Sequence, residues 1–505
     1  MRVQLRHLMA GGEGDQYRYA WIVILVAFTL LLAGICVWRY LTVQAHVFDL
    51  GNDIQAWYLI SHGSLTGFIT ASQTDAIGQD ASFIAYPFAL IYRYLGGVIP
   101  ILVIQAAAVG VAGAGVRQYA KDYKLSDRAA TLLMALFLLF PGVSLGAIFD
   151  FHYDFIAAPF LVWGLVWYGQ GEKWAALIAF VVAILCKDLV LVALLAWGLG
   201  LMAGERKWKD GLLAAVASFC ILVVYEKLIF ANLQHDGSWR FAMYTYGYLG
   251  HGLLSDLVGL PVHAGLVLQQ VASGWYYFLL FLPVLGLPLL HKVFRWPVIV
   301  LFGINLLSLF AQQRWMINQY QLILAVYLWA GLIPVIARMG QPRLGRPLKL
   351  MVIAGATFFL VNADLAANLY LAHPLPDFTE LTGINRSIPQ SSLVISQEAL
   401  GTEFAARPFL LLENNLIAEW YGSNLGATWA YEETMYPGPH TTYIVYAYPV
   451  SSHLASVIEA ALHDHYVLHR YPNGIFVVSG KGEFIVPSSS RRSRSPGGAV
   501  AAASL

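Results

Sequence analysis

Long apolar runs recur along this chain from residue 19 to residue 367, and they limit the folds that the chain can adopt. A helix needs about 20 mostly apolar residues to cross a bilayer, and its backbone polar groups are then satisfied within the segment. Hydrophobic residues make up 58% of the 505 residues and charged residues 12%, whereas soluble globular chains carry about 25% charged residues. We therefore predict a mainly α fold, a polytopic bundle of transmembrane helices.

The apolar runs predict about eleven spans. They lie near residues 19–38, 97–116, 129–147, 155–170, 174–186, 189–203, 211–230, 275–290, 297–310, 319–337 and 349–367. Several are shorter than a full span, which tilt or burial within the bundle would explain. The segment 81–97 contains Pro87 and Arg93 and is interpreted as an interfacial or re-entrant helix that does not cross.

Lysine and arginine in the connecting loops indicate the orientation, because cytoplasmic loops carry an excess of both. The basic loops at 117–128 and 338–349 are expected inside, together with the N-terminus, and an odd number of crossings then places the chain after residue 368 outside. The first apolar run is long enough to span, so it is interpreted as a retained anchor rather than a signal peptide. We expect a multi-pass protein of the inner, cytoplasmic cell membrane.

The cysteines exclude two kinds of site, whereas the net charge says little about partners. The formal net charge is +1, so it indicates no particular partner; membrane lipid is expected and nucleic acid is not. Cys36, Cys186 and Cys220 lie inside apolar runs. Neither a disulfide framework nor a cysteine metal site is therefore predicted.

The chain divides into three predicted regions. Residues 1–368 form a transmembrane domain, with interfacial helices in the outer loop 39–97. Residues 369–485 form a small exported α/β domain. The tail 486–505 is rich in serine, arginine and small residues and is expected to be disordered.

Local patterns predict the elements of the C-terminal domain. The segments 391–396 and 441–448 are typical of strands, and 453–464 is typical of a helix. The segment 466–480 predicts a hairpin with an Asn-Gly turn. A lid, the recognition of an acceptor and the binding of a partner are the roles considered for this domain.

The segment "CKD" at 186–188 interrupts an apolar run of about 30 residues, which is too long for one span and short for two. A tight helical hairpin would place Lys187 and Asp188 at its outer tip. Ionisable groups within membranes are costly and usually face a bundle interior or a cavity. One interpretation is a structural Lys–Asp pair; the other is that Lys187 meets a phosphate or a carboxylate at the mouth of a cavity.

The segment "FDFHYD" at 149–154 places Asp150, His152 and Asp154 at alternate positions. Imidazole nitrogens and carboxylate oxygens are ligands for divalent metals, so a metal is permitted here and no other cofactor is indicated. A polar helix cap between two spans is the alternative interpretation.

Two acids follow the first apolar run. Gly51 allows a turn, and Asp53 can start a helix, where an acid is favoured by the helix dipole. Asp49 is expected to lie outside that helix, so capping does not explain it. A carboxylate there can take a proton from an acceptor hydroxyl as a general base.

Arg240 and Arg314 are candidate anion-binding residues, because guanidinium offers a fork of donors that matches phosphate oxygens. The alternative is an interfacial arginine beside Trp239 or Trp315. Tyrosines at 244, 246 and 248 are able to stack on a sugar ring, and they fit equally well in an aromatic belt at the membrane interface.

The segments "FDLGNDIQAW", "FDFHYD" and "CKD", in this order, resemble a prokaryotic family of polytopic membrane proteins catalogued as domain of unknown function 2079. The resemblance covers most of residues 40–330. Two departures stand out. Residues 77–83 read "IGQDASF" where the family shows a His–Phe–Ser segment, and Gln319 and Tyr320 stand where it shows a His–Tyr pair.

That family is similar in turn to the C-type glycosyltransferases, membrane enzymes that use polyprenyl-phosphate sugar donors and carry an essential Asp in the first outer loop. In related members that Asp precedes an amphipathic helix that ends near a glycine, and Gly63 follows Asp49 by 14 residues. The resemblance implies that Asp49 activates the acceptor and that basic groups such as Lys187 bind the donor phosphate. Asp49 is expected to share a cavity with Lys187.

The predicted function is the inverting transfer of a sugar from a polyprenyl-phosphate donor to an envelope acceptor on the outer face. A transporter or flippase for a lipid-linked sugar and a non-catalytic envelope assembly protein are the alternatives. The candidate catalytic residues are Asp49 and Asp53. The candidate substrate-binding residues are Lys187, Asp188, His152, Asp154, Arg240, Arg314 and Tyr320.

Overall fold

The computed structural model describes residues 2–70, 74–233, 245–250, 253–371, 378–412 and 441–481. The chain divides into two compact units. The membrane unit comprises Met1–Ala45, Ala56–Ile69 and Thr74–Pro374, and the C-terminal unit comprises His46–Gln55, Thr70–Gln73 and Leu375–Leu505. The loop predicted over 39–97 therefore contributes to both units.

Helices occupy most of the described chain up to residue 371. The α-helices are α1 (Arg2–Leu41), α2 (Asn52–Ser61), α3 (Ala76–Asp80), α4 (Ala85–Tyr94), α5 (Val98–Asp122), α6 (Asp127–Leu138), α7 (Pro141–Phe149), α8 (Tyr153–Gln170), α9 (Lys173–Cys186), α10 (Leu189–Glu205), α11 (Trp208–Val224), α12 (Ala231–Leu233), α13 (Leu253–Val262), α14 (Ala264–Ser273), α15 (Arg295–Leu307), α16 (Leu322–Met339) and α17 (Gln341–Tyr370). Tighter 3₁₀ turns cover Trp275–Val284, Leu287–Leu290, Ala311–Arg314 and Gln319–Gln321, and wider π-helical turns cover Val47–Gly51 and Tyr225–Phe230. A two-stranded ribbon pairs β1 (Phe68–Ile69) with β2 (Thr74–Asp75).

Six of the described helical segments are long and apolar enough to cross a membrane. They are Tyr19–Leu41, Val98–Asp122, Asp127–Phe149, Trp208–Phe230, Gln319–Met339 and Gly345–Tyr370. A pair bent by 58°, Ala264–Ser273 with Trp275–Val284, would make a seventh. The mainly α polytopic fold is confirmed, but the predicted eleven spans are not. The predicted spans within α8, α9, α10 and α15 fall on helices of 18 residues or fewer.

Glycines allow some of these helices to approach closely. A Cβ at Gly198 in α10 would lie 2.6 Å from the carbonyl oxygen of Gly211 in α11, and one at Gly164 in α8 would lie 2.5 Å from the ring of Phe180 in α9. Lipid gives little hydrophobic force between helices, so small residues at their contacts let packing stabilise the bundle. The sequence 81–97, predicted not to cross, contains only the ten-residue α4 as regular structure.

The C-terminal unit contains a mixed sheet. Its strands are β3 (Leu393–Ser396), β4 (Leu410–Leu412), β5 (Thr441–Ala447), β6 (Val467–Arg470) and β7 (Ile475–Lys481), and its helices are α18 (Phe378–Ser387), α19 (Glu398–Phe404) and α20 (Ser452–His463). The strand order is β4-β3-β5-β7-β6. β3 pairs in parallel with both β4 and β5, and β7 pairs antiparallel with β5 and β6.

This arrangement confirms the predicted small α/β domain and most of its elements. Leu454, Val457 and Ile458 of α20 pack with buried residues of the strands. The predicted hairpin is β6–β7, and Asn473 and Gly474 lie in its turn, where Gly474 has φ +78°. The strand β4 was not predicted. The predicted disordered tail 486–505 lies outside the described residues.

Candidate functional site

The chain breaks between α9 and α10 at Lys187 and Asp188. Lys187 has an extended backbone, with φ −157° and ψ 132°, and α10 begins directly after Asp188. Beyond the break the chain reverses, since the ring centroid of Phe180 in α9 lies 5.4 Å from that of Trp197 in α10. The predicted break in the apolar run is confirmed.

Lys187 is paired with carboxylates. Its Nζ lies 2.8 Å from Oδ2 of Asp80 and 3.9 Å from Oδ2 of Asp154. Burial lowers the pKa of Lys187, but the neighbouring carboxylates, Asp80 foremost, outweigh burial and raise it above its ordinary value. Lys187 therefore forms a structural Lys–Asp pair, as in the first interpretation, with Asp80 as the nearer partner. The role of Lys187 toward a phosphate stays a prediction.

Asp188 caps the start of α10. Its Oδ1 accepts a hydrogen bond of 2.8 Å from the backbone nitrogen of Leu189. Burial raises the pKa of Asp188 to about 7, although the ammonium of Lys187 opposes this shift. The carboxylate is thus held beside the lysine but bonds to the helix backbone.

Asp80 was not predicted as a site residue. The segment that follows it is attached to the break by two hydrogen bonds, from Oγ of Ser82 to the carbonyl of Cys186 at 2.8 Å and from the nitrogen of Ile84 to the carbonyl of Leu185 at 3.0 Å. These bonds bring Asp80, at the end of α3, to Lys187. Ionisable residues inside apolar runs usually pair with one another. This rule would have directed attention to acids outside the run, such as Asp80, in addition to the adjacent Asp188.

The segment 149–154 is fixed by a second buried ion pair. Nη1 of Arg39, at the end of the first span, lies 3.1 Å from Oδ1 of Asp150, and both side chains are 2% exposed. Arg39 also donates to the carbonyls of Ile148 at 3.0 Å and Tyr370 at 3.2 Å. The guanidinium therefore links α1, the end of α7 and the end of α17.

Gln105, fully buried in α5, fixes the backbone of the same segment. Its Nε2 donates to the carbonyls of Ala147 at 3.0 Å and Asp150 at 3.1 Å, and its Oε1 accepts from the nitrogen of His152 at 2.9 Å. One amide side chain thereby satisfies three backbone groups where α7 ends and α8 begins. The turn is held rigidly beside Lys187.

His152 and Asp154 occupy the start of α8. His152 is the residue before the first helical residue, and its side chain makes no capping bond, whereas Asp154 lies in the first turn. Burial lowers the pKa of His152 to about 3, and the positive charge of Lys187 adds to this effect. Asp150, His152 and Asp154 do not form one group of converging ligand atoms, because Asp150 faces Arg39 and Asp154 faces Lys187.

Asp49 lies in a π-helical turn of the C-terminal unit. The turn Val47–Gly51 continues without a break into α2, and the nitrogen of Gly51 bonds the carbonyl of His46 at 3.1 Å. Asp53 lies in the first turn of α2 and Asp49 lies outside α2, as expected. The π-helical turn that joins Asp49 to α2 was not predicted, because sequence periodicity does not reveal a five-residue wide turn. Single π-turns are frequent at functional sites.

The helix after Asp49 ends as predicted, with α2 stopping at Ser61 and Gly63 at φ +100°. Asp49 belongs to the C-terminal unit and Lys187 to the membrane unit. The shared cavity of these two residues stays a prediction.

Arg314 is a buried cation at the break of the bent helix pair. It is 7% exposed, and its Nη1 donates to Oε1 of Gln270 at 3.0 Å and to the carbonyls of Leu306 at 3.3 Å and Ser308 at 3.0 Å. A Cβ at Gly274, where the pair bends, would lie 3.0 Å from Cδ of Arg314. Glycine at this position leaves room for the stem of the arginine.

Of the remaining predicted residues, Tyr320, Tyr246 and Tyr248 are described, and all three form hydrogen bonds with α15. Nδ2 of Asn305 donates to the backbone carbonyl of Tyr320 at 3.1 Å, and the Tyr320 ring contacts that of Phe310. Arg240 and Tyr244 lie outside the described residues. The hydroxyl of Tyr246 donates to the carbonyl of Ile304 at 3.0 Å, and that of Tyr248 donates to the carbonyl of Leu307 at 2.9 Å.

The fold and these clusters define a polytopic membrane protein with buried ionic groups at the breaks between helices. The family model described as "Predicted membrane protein (DUF2079)" matches residues 39–406. The chain belongs to this family, as the resemblance in its motifs predicted. No curated protein matches the chain.

Solved structures show what the fold is similar to. ArnT from Cupriavidus metallidurans bound to undecaprenyl phosphate superimposes with a TM-score of 0.52 at 14% identity, over 92% of this chain and 98% of that one. The apo form of the same protein gives a TM-score of 0.51 at 13% identity, over 91% and 98%. The predicted C-type glycosyltransferase fold is confirmed.

Proposed function

We propose that this protein is a membrane glycosyltransferase that moves a sugar from a polyprenyl-phosphate donor to an envelope acceptor. The family and the fold support the class, and the similar ArnT structure contains undecaprenyl phosphate. The observation that carries the proposal for this chain is the buried guanidinium of Arg314.

Arg314 has no negative partner in the part of the chain that the structure describes. None of the ion pairs there includes it, and its three hydrogen-bond acceptors are neutral oxygens. Its Nε is also buried without a hydrogen-bond partner among those residues. Arginine keeps its charge in proteins, and a buried charge without a counter-ion is costly. A phosphate supplies both the negative charge and the missing acceptor.

Lys187 is a weaker candidate for the primary phosphate anchor. Its ammonium is already paired with Asp80 at 2.8 Å, and Asp154 and Asp188 add further negative charge. A phosphate approaching this cluster meets net repulsion unless an acid is protonated. We propose that Lys187 orients Asp80 and Asp154 beside His152, and that Arg314 binds the donor phosphate.

The proposed chemistry uses Asp49 as the general base, the role that the sequence predicted for it. Asp49 takes the proton of the acceptor hydroxyl, the acceptor oxygen attacks the anomeric carbon, and the bond to the phosphate oxygen breaks. The polyprenyl phosphate leaves with the electron pair and is held by Arg314. Attack opposite the leaving group inverts the anomeric centre.

We place the reaction at the outer face of the cytoplasmic membrane. Loops rich in lysine and arginine alternate along the sequence with loops that contain few of these residues. A reporter enzyme that works only outside the cytoplasm should be active when it is fused after Leu371. Inactivity of that reporter, together with activity of a reporter that works only in the cytoplasm, would contradict the location.

A binding experiment tests the role of Arg314. Purified protein in detergent is titrated with undecaprenyl phosphate and, separately, with uncharged undecaprenol. Hydrogen bonds to a charged group contribute about 1.5–3 kcal/mol, so Arg314→Gln should weaken phosphate-lipid binding by roughly tenfold to hundredfold. Arg295→Gln, a matched change at the first residue of α15, should bind like the wild type.

The assay of function is transfer of labelled sugar from a panel of polyprenyl-phosphate sugars. Wild-type turnover with one donor and its loss in Arg314→Gln support the proposal. Equal binding of undecaprenol and undecaprenyl phosphate, unchanged by Arg314→Gln, would refute the phosphate site.

A transporter or flippase for a lipid-linked sugar is the second candidate. The observation in its favour is the pair Ala264–Ser273 and Trp275–Val284, bent by 58° beside buried Arg314, because broken helices form the binding sites of many transporters. Movement of labelled lipid-linked sugar between the leaflets of vesicles, without transfer to any acceptor, would favour this function.

A further inference from the structure

The acidic turn that carries Asp49 packs on helix α19 of the C-terminal unit. Val47 is fully buried, and a Cβ at Gly401 in α19 would lie 2.6 Å from its Cγ2. The same Cβ would lie 3.0 Å from Cδ2 of Leu412, at the end of β4. Real Cβ atoms essentially never approach another heavy atom within 3.0 Å. Glycine at residue 401 is therefore required for the turn to lie where it does.

A polar contact holds the other end of the same segment. Gln55, 1% exposed, donates from Nε2 to the carbonyl of Arg407 at 3.1 Å, and its Oε1 accepts from the nitrogen of Thr70 at 2.9 Å. Oγ1 of Thr70 accepts from the nitrogen of Leu410 at 3.1 Å and donates to the carbonyl of the same residue. Thr70 thus pairs with the first residue of β4, which is an edge strand.

These contacts bracket the turn Val47–Gly51 from both ends. The apolar contact of Val47 with Gly401 lies before Asp49, and the amide of Gln55 lies after it. A buried amide with all its bonds made is rigid, and breaking one bond leaves a buried polar group unsatisfied. The position of Asp49 relative to the sheet is consequently determined by the fold of the C-terminal unit.

We infer that the C-terminal unit positions the acidic turn for catalysis, with Gly401 and Gln55 as positioning residues for Asp49. The inference rests on the proposed function for the role of Asp49, but the attachment of the turn is independent of that role. The C-terminal domain is then a part of the catalytic apparatus, and a change at α19 acts on turnover through the π-turn.

The test uses a steric change and its relief in the full-length protein. Gly401→Ala forces Val47 to shift, because the branched valine side chain has little rotamer freedom. Val47→Ala removes Cγ2, the atom that the added methyl group would approach most closely, and leaves Cδ2 of Leu412 at 3.0 Å. The double variant should therefore relieve most of the clash and restore the turn. Gly383→Ala is the matched control, since Gly383 lies in α18 of the same unit and nothing lies within 4 Å of an added Cβ.

Two readouts separate the inference from the proposed function. Hydrogen exchange of the amides at 47–55 should accelerate at least about tenfold in Gly401→Ala, return toward wild type in the double variant and stay unchanged in Gly383→Ala. Turnover should fall in Gly401→Ala with the donor KM unchanged, and the double variant should recover it.

The outcomes test the positioning of the turn and the proposed transferase function separately. Unchanged exchange at 47–55 in Gly401→Ala would overturn the positioning role, as would faster exchange with the turnover of the wild type. Accelerated exchange that the double variant reverses, in a protein that transfers no sugar from any donor tested, would support the attachment of the turn and refute the proposed function.

Discussion

The ammonium nitrogen of Lys187 lies 2.8 Å from a carboxylate oxygen of Asp80. The two residues come from distant parts of the chain, and the hydrogen bonds of Ser82 and Ile84 to the end of α9 bring them together. The break between α9 and α10 is therefore stabilised by a neighbouring loop as well as by its own helix cap.

Replacing Lys187 should destabilise the protein more than replacing Asp80. Lys187→Met leaves the carboxylates of Asp80 and Asp154 without a cation, whereas Asp80→Asn leaves Lys187 close to Asp154. Breaking a buried pair costs about 3–5 kcal/mol, but the Asp80 side chain is 35% exposed, so solvent screening reduces the expected cost of Asp80→Asn to about 1 kcal/mol. Thermal unfolding in detergent measures both, with Asp464→Asn as the control, since the Asp464 side chain is 53% exposed. A Lys187→Met variant as stable as the wild type would contradict this account.

The buried pair of Arg39 and Asp150 should contribute more to stability than the more exposed pair of Arg117 and Asp127. Both side chains are 2% exposed, so Arg39→Met removes the cation of a buried ion pair and should cost about 3–5 kcal/mol. The double variant Arg39→Met/Asp150→Asn should recover part of this loss, since the charge is then removed. Arg117→Met breaks a more exposed pair, in which Asp127 is 40% exposed, and should cost less than Arg39→Met. Equal losses in denaturation curves of the two arginine variants would show that burial does not decide the effect.

Local sequence patterns were sufficient for much of the fold. The apolar runs predicted the helices, and the charged pair at 187–188 predicted the break, because a continuous helix would place both charges in the middle of a span. The strands β3 and β5 and the hairpin β6–β7 followed from alternation and turn residues. The count of eleven spans is not confirmed, since α9 and α15 are only 14 and 13 residues long.

Contacts between distant segments could not be predicted in the same way. Asp80 lies in a segment without a helical or strand pattern, and its pairing with Lys187 depends on two hydrogen bonds to the backbone of α9. The grouping of residues 46–55 with the C-terminal unit depends on Gly401, whose missing side chain leaves room for Val47. Neither contact has a local sequence signature. Gln105, in a predicted span, was indistinguishable from any polar residue in an apolar helix.

His152 should make the protein less stable in acid. Its pKa is lowered to about 3 in the folded protein, from an ordinary value of 6.5, so its contribution to stability is present above about pH 6.5 and is lost as the pH falls toward 3. Asp188 acts in the opposite direction, because its raised pKa of about 7 makes the folded state less stable as the pH rises from about 4 to 7. Chemical denaturation between pH 7.5 and 5 should show a smaller acid loss in His152→Asn than in the wild type.

A matched variant separates the two titrations. Asp188→Asn should lose the stabilisation that protonation of Asp188 gives below pH 7, and its acid loss should therefore be larger than that of the wild type. Parallel stability curves of the wild type and His152→Asn over this pH range would show that the histidine does not titrate as a buried group.

Asp49 should be the acid on which turnover depends. Asp49→Asn keeps the size of the side chain and the π-turn but removes the proton acceptor, so the proposed transfer should slow by about 10²–10⁴-fold while donor binding is unchanged. Asp53 lies in the first α-helical turn after the π-turn. Asp53→Asn removes a favourable dipole interaction of about 0.3–1 kcal/mol, and it should cost less activity than Asp49→Asn because asparagine also caps helices. The measurement is single-turnover transfer at saturating donor, with thermal unfolding to show that both variants are folded. Asp49→Glu, which keeps a carboxylate, should recover part of the rate. If Asp49→Asn transfers sugar as fast as the wild type, another group takes the proton.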